Sequence, residues 1–298
     1  MIFLFFVPGM FGHTTEFVIR RFSNEYYDKN SIIHQTPSAN FIASDGSMHT
    51  YRMEMHSFDH DNIPELKENT IVTPIYPTES NNLSEIIKKF EKINNFNDSH
   101  KIVVHANNFE SAEFNLLVQY KKVVSLPHNG EKVMFSNSAV NQWNKEYNSF
   151  KDMQQWELRE WFSLYYPNWI DKWIKNADEV DSTYLKISNR DYLSNTRMCF
   201  KKIFDHCNLT FNTSLTNEYH SFIDTWLNAQ QPIVHEYTLT NNIVDAVIKN
   251  YYYEWKDLNI IQEAIVQKKL RDHNIEIKCY DLNVFPCNTI DLKSVLLY

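Results

Sequence analysis

Residues 2–22 read IFLFFVPGMFGHTTEFVIRRF. The first six, IFLFFV, are all apolar and stop at Pro8 and Gly9, the pattern of a strand buried on both faces. PGMFGHTT (8–15) reads as a tight loop, and EFVIRRF (16–22) has the apolar spacing of a helix. The chain has four glycines in 298 residues, against roughly twenty at an average content of about 7%. Two of the four, Gly9 and Gly12, flank this turn. A helix entered from such a loop points its first amides outward, and their partial positive charge suits a phosphate. Gly12 is expected to let the backbone approach an anion, with Thr14 and Thr15 offering hydroxyls. An ordinary strand-to-helix turn capped by Thr14 or Thr15 accounts for the same letters.

Around this opening, apolar runs at residues 70–76 (TIVTPIY), 101–105 (KIVVH) and 122–126 (KVVSL) read as further strands. They alternate with helical patterns such as Leu83, Ile86, Ile87, Phe90 and Ile93. Alternation of this kind predicts an α/β fold, a parallel sheet with helices on both faces. Ligands of such sheets sit at the carboxyl ends of the strands. The PGMFGHTT loop, His105 and His128 each follow a predicted strand, so all three are expected on one rim. From residue 151 the sequence turns aromatic and helical: WELREWFSLYYPNWIDKWI (156–174, interrupted at Pro167), NEYHSFIDTWLNAQ (217–230) and YYYEWKDLNIIQEAIVQKKLRD (251–272). Its rings are expected to pack helices onto the sheet. IEIKCYDL (275–282) reads as a final edge strand. One domain is expected over 1–298, with an α/β core at 1–150 and a mostly helical lobe at 151–298 packed on it.

The loop is not a Walker A motif, since His13 stands at the lysine position and Val7 at the first glycine. It resembles the phosphosulfate-binding loop of the P-loop sulfotransferases, Pro-x-Ser-Gly-Thr-Thr, in Pro8, Gly12, Thr14 and Thr15. This loop has one extra residue before Gly12 and one between Gly12 and Thr14, and it lacks the family's basic residue. His13, Arg20 or Arg21 is left to supply that charge. KIVVHANN (101–108) and, seventeen residues after His105, KVVSLPHN (122–129) with Ser136 are similar in order and spacing to the family's catalytic-histidine strand and its 3′-phosphate-binding strand. His128 stands where the family has arginine. STYLKISNRDYLSNTRMCFKKIFDHCNL (182–209) looks like the family's late strand, turn and helix, with Met198, Phe200, Ile203, Phe204 and Cys207 at apolar positions. No counterpart of the family's C-terminal Arg-Lys-Gly loop is found.

The resemblance implies a P-loop-type sheet and sulfuryl transfer from 3′-phosphoadenosine 5′-phosphosulfate to a small-molecule or glycan hydroxyl. It places Gly9, Met10, Phe11, Gly12, His13, Thr14, Thr15, His128 and Ser136 at the cofactor and His105 as base. His49, in a loop expected to border the site, is the alternative base. A sulfotransferase-like protein that has lost its chemistry and serves as a binding or interaction protein is the competing expectation, and another P-loop nucleotide enzyme the third.

A net charge of −8 and a pI near 5.8 argue against a nucleic-acid surface. The four cysteines, Cys199, Cys207, Cys279 and Cys287, have neither disulfide-framework nor zinc spacing, and no metal site is expected. No apolar run reaches the roughly twenty residues of a membrane span, and residues 2–7 are too short for a signal peptide. A cytoplasmic protein with no membrane partner is the expectation.

Overall fold

The computed structural model describes residues 1–6, 9–35, 41–43, 49–54, 66–75, 83–106, 175 and 178–249, and residues 262, 265, 266, 269, 270 and 272–274. The strand at 122–126, His128, Ser136, the helices at 156–174 and the strand at 275–282 lie outside them. The chain divides into two compact units, Met1–Lys145 with Trp169–Gln230 and Glu146–Asn168 with Gln231–Tyr298.

Among the described residues the first unit has five parallel strands: β1 (Ile2–Phe6), β4 (Thr50–Glu54), β5 (Ile71–Ile75), β6 (His100–His105) and β7 (Tyr184–Ser188). Their order is β4-β5-β1-β6-β7, with β1 at the centre. All five β1 residues are buried, as the run of apolar residues predicts. Parallel neighbours need crossovers, and two of them are α1 (Gly12–Phe22), between β1 and β4, and α2 (Leu83–Phe90), between β5 and β6. The two crossovers travel in opposite directions across the sheet, so right-handed connections put the helices on opposite faces. The rings agree with this. Phe3 and Phe5 meet Phe90 of α2 at 5.7 Å, whereas Phe6 lies against the first turn of α1. Leu83, Ile86, Ile87 and Phe90 are buried, so the helical spacing read from the sequence is the face that packs.

Two short strands, β2 (Ile33–Gln35) and β3 (Phe41–Ala43), form a separate antiparallel pair between α1 and β4. β7 runs into α3 (Asn189–Ser194) through a capping box at Ser188 and Asp191. The next helix is α4 (Thr196–His206). Phe200, Ile203, Phe204 and Cys207 are buried as their spacing predicts, but Met198 is 46% exposed and its neighbour Cys199 takes the inner position. A long helix, α5 (Thr216–Ile248), contains Pro232. Its N-terminal part packs Tyr219, Phe222 and Trp226 against Phe22, Phe17 and Phe11 at ring distances of 4.9 to 5.2 Å. These edge-on and tilted rings tie the helix to α1.

In the second unit the inner face of α5 meets the helical residues from 262 onward. Gln262 donates to Thr240 Oγ1 at 3.2 Å, and Lys269 donates to Asn241 at 2.7 Å while its ammonium lies over the Tyr237 ring. Ile243, Ile265, Val266 and Leu270 are buried there.

Candidate functional site

The order of the sheet marks one place for a ligand. Among the described strands of this sheet, the one that follows β1 in the chain, β4, lies on one side of the β1–β6 pair, and the one that follows β6, β7, lies on the other. Neighbouring strands whose exits diverge leave a crevice at their carboxyl ends, the usual ligand position of an open α/β sheet. Phe6 pairs with Val104, so His105 stands one residue beyond the end of β1, beside the turn into α1. The sheet therefore brings the Gly9–Thr15 segment and His105 to one rim, as their positions after strands predict.

The turn itself differs from the sequence expectation. Gly9 has φ 88° and Phe11 φ 60°, two left-handed residues that bring the chain into α1 already at Gly12. GHTT is thus the first turn of the helix and not a loop before it. Phe11 occupies the N-cap with no side-chain cap bond, so neither Thr14 nor Thr15 caps the helix. The Thr15 hydroxyl turns back to the Phe11 carbonyl at 3.1 Å and also bonds the Tyr192 hydroxyl. Thr14, Thr15 and Met10 are buried. At Gly12 a Cβ would run into the Phe6 ring. The glycine is needed for close packing of α1 on β1. Of the expected donors, the first-turn amides, orphaned by helix geometry, and the His13 ring fit an anionic group. The Thr15 hydroxyl, committed to Tyr192, does not.

The expected cations are also sorted. Arg20 is fully buried, with its guanidinium 3.0 Å from Glu16 and 3.9 Å from Asp28. Arg21 forks onto Glu218 at 2.6 and 3.0 Å and donates to the Lys29 carbonyl. Of the three, His13, 22% exposed, stands in the first turn of α1 itself. Its Nδ1 lies 3.5 Å from Glu16, and Arg52 of β4 reaches the same carboxylate at 3.1 to 3.3 Å. Burial by itself raises the Glu16 pKa, but His13, Arg52 and Arg20 outweigh it and hold the carboxyl at about 2. Sequence reading missed this cluster. The i,i+4 spacing of Glu16 and Arg20 was a local signal, whereas nothing local points to Arg52.

His105 is buried, and its Nδ1 lies 2.9 Å from the Ala106 carbonyl. A carbonyl only accepts, so Nδ1 carries the proton and Nε2 of the neutral ring keeps its lone pair. Burial lowers the His105 pKa, against an upward pull from the Ala106 bond and Asp191. Ser188 is its register partner on β7, but the Ser188 hydroxyl accepts from the Asp191 amide at 3.1 Å. The Ser188 and Asp191 side chains thus serve the capping box of α3.

His49 is not brought to this rim. It precedes β4 at the amino-terminal edge of the sheet, its Nδ1 3.2 Å from the Asn69 carbonyl and its ring beside Tyr26. Six strand rows separate its level from that of His105, roughly 20 Å at 3.3 Å per residue. His49 therefore lies away from the rim that holds His105, because the chain enters β4 there and does not leave it.

Among the described residues no group of three or more His, Cys, Asp and Glu side chains is placed to hold a metal ion, and no helix is long and apolar enough to cross a membrane. Comparison of the chain with protein-family models, curated proteins and solved structures finds no match.

Proposed function

We propose that the chain is a sulfotransferase that uses 3′-phosphoadenosine 5′-phosphosulfate, with its centre in the crevice between the carboxyl ends of β1 and β6. The observation that carries this reading is the adjacency of the α1 amino terminus and His105 at the sheet's switch point. The motif resemblances of both segments and the base-competent tautomer of His105 support it.

When bound, the nucleotide supplies the sulfuryl group. The amides of Gly12, His13 and Thr14, with the His13 imidazole, hold its anionic charge. His105 Nε2 takes the proton of an acceptor hydroxyl, and a histidine kept neutral by burial is available for this at neutral pH. The acceptor is a small-molecule or glycan hydroxyl.

The test is turnover of wild type and His105→Ala at matched nucleotide saturation. A general base contributes about 10²- to 10⁴-fold, so turnover should fall by that order while nucleotide affinity stays nearly constant. A folded, nucleotide-binding His105→Ala protein with wild-type turnover refutes the assignment.

A second reading, a binding protein of sulfotransferase-like build without chemistry, draws on a different observation. Met10, Thr14 and Thr15 are buried and the Thr15 hydroxyl is spent on Tyr192. Tight nucleotide binding by wild type with no sulfuryl release to acceptor or water favours it.

A further inference from the structure

Two unusual features meet at the amino terminus of α1. Phe11 holds a left-handed conformation, φ 60° and ψ 17°, which only glycine and, less often, asparagine or aspartate visit routinely. A bulky residue there is a true outlier. Its ring packs edge-on to Trp226 at 5.0 Å and to Tyr192 at 5.7 Å. Trp226 is fully buried, and its indole Nε1 has no hydrogen-bond partner. A buried indole N–H usually finds an acceptor, and an orphaned one in a native structure requires an explanation. Strained residues of this kind cluster at ligand clamps.

We propose that Phe11 is a lid over an oxyanion site, and that the Trp226 indole N–H is a donor of that site alongside the first-turn amides of α1. With Phe11 seated, the indole is sealed. When Phe11 leaves its left-handed conformation, backbone strain is released and the indole donates to a phosphate or sulfate oxygen. The preceding Gly9, at φ 88°, gives the turn a residue that tolerates the change. The ligand class follows from the chemistry of the donors. Indole and amide N–H groups only donate, and the positive end of the helix dipole adds to them, so the site selects an acceptor-rich anion.

The inference rests on the reading of this turn as the anion site, and the test separates the two. The chain has seven tryptophans, hence seven indole N–H signals in a ¹⁵N-labelled sample, and Trp226→Phe identifies the relevant one by its loss. Saturation of wild type with inorganic pyrophosphate, or with 3′-phosphoadenosine 5′-phosphate, should move that signal downfield and slow its exchange with water. Trp226→Phe, which keeps the ring packing, should weaken binding about tenfold or more. Phe11→Ala, which keeps the backbone strain and removes the ring that holds the lid down, should tighten it. An unmoved Trp226 signal at saturation, or wild-type affinity in Trp226→Phe, overturns the proposal and leaves the nucleotide reading standing. Pyrophosphate bound through Trp226 with no binding of the nucleotide overturns that reading and leaves the lid. Binding of neither anion, by wild type or Phe11→Ala, overturns both.

Discussion

The Phe6 ring occupies the space that a side chain on Gly12 would need. The last residue of β1 and the first of α1 are therefore fitted to each other, and the close approach fixes where the helix begins. Gly12→Ala should destabilise the protein by about 1–3 kcal/mol through overpacking, visible as a lower urea midpoint without any ligand. An unchanged midpoint together with weakened anion binding would mark Gly12 as an anion-approach residue rather than a packing one.

Glu16 anchors three side chains from within the core. Glu16→Gln removes the carboxylate that lies 3.0 Å from the buried Arg20 guanidinium, leaving Asp28 at 3.9 Å, and breaking one side of a buried pair costs about 3–5 kcal/mol. Denaturant unfolding checks this, and a loss below about 1 kcal/mol would place the cluster among weak surface pairs. The folded pKa of Glu16 is depressed from 4.5 to about 2. Between these values the unfolded chain takes up the proton first. The stabilisation from Glu16 is thus complete above 4.5 and disappears as the pH falls toward 2.

Much of this architecture was legible in local letters. The runs at 2–7, 70–76 and 101–105 became β1, β5 and β6 because a strand buried on both faces must be apolar throughout, and α2 declared its inner face by spacing alone. β4 escaped notice because TYRME, at the end of the described strand order, is of mixed polarity, and the short β2 and β3 carry no long apolar run. The helix start at Gly12 was hidden by Phe11, since no sequence rule expects a left-handed phenylalanine at an N-cap. At the site, the rim position of His105 followed from its place after a strand. The displacement of His49 and the Arg52–Glu16 pair depend on sheet order and register, which only the assembled fold supplies.

Three histidines should make the protein acid-sensitive. Burial lowers the pKa values of His100, His105 and His206 below 6.5, and the ring pair His100–His206, 5.8 Å apart, adds mutual repulsion for His100. As the pH falls below 6.5 the unfolded state binds protons that the folded state refuses, so stability falls with pH until the folded values are reached. Urea midpoints at pH 7.5 and 5.5 measure this. The double change His100→Gln, His206→Gln should flatten the difference, and an equally steep decline in that variant would assign it to other groups.

The Tyr192 hydroxyl meets Thr15 in the buried layer between α3 and α1. Tyr192→Phe leaves Thr15 its bond to the Phe11 carbonyl, so the loss should be limited to about 0.5–1.5 kcal/mol by thermal or chemical unfolding. If the freed Thr15 hydroxyl also strengthens pyrophosphate binding, Tyr192 competes with the ligand for it. Unchanged affinity means that Thr15 stays outside the site in both proteins.

The most direct measurement is thermal unfolding with and without 3′-phosphoadenosine 5′-phosphate, with ATP, which lacks the 3′-phosphate, as the control. A ligand that binds only the folded chain adds about 2.7 kcal/mol at one hundred times its dissociation constant. The proposed function predicts a concentration-dependent rise in the midpoint with the 3′-phosphorylated nucleotide and a much smaller one with ATP. A midpoint that does not move at any soluble concentration, or that rises equally with ATP, contradicts a site for this nucleotide between β1 and β6.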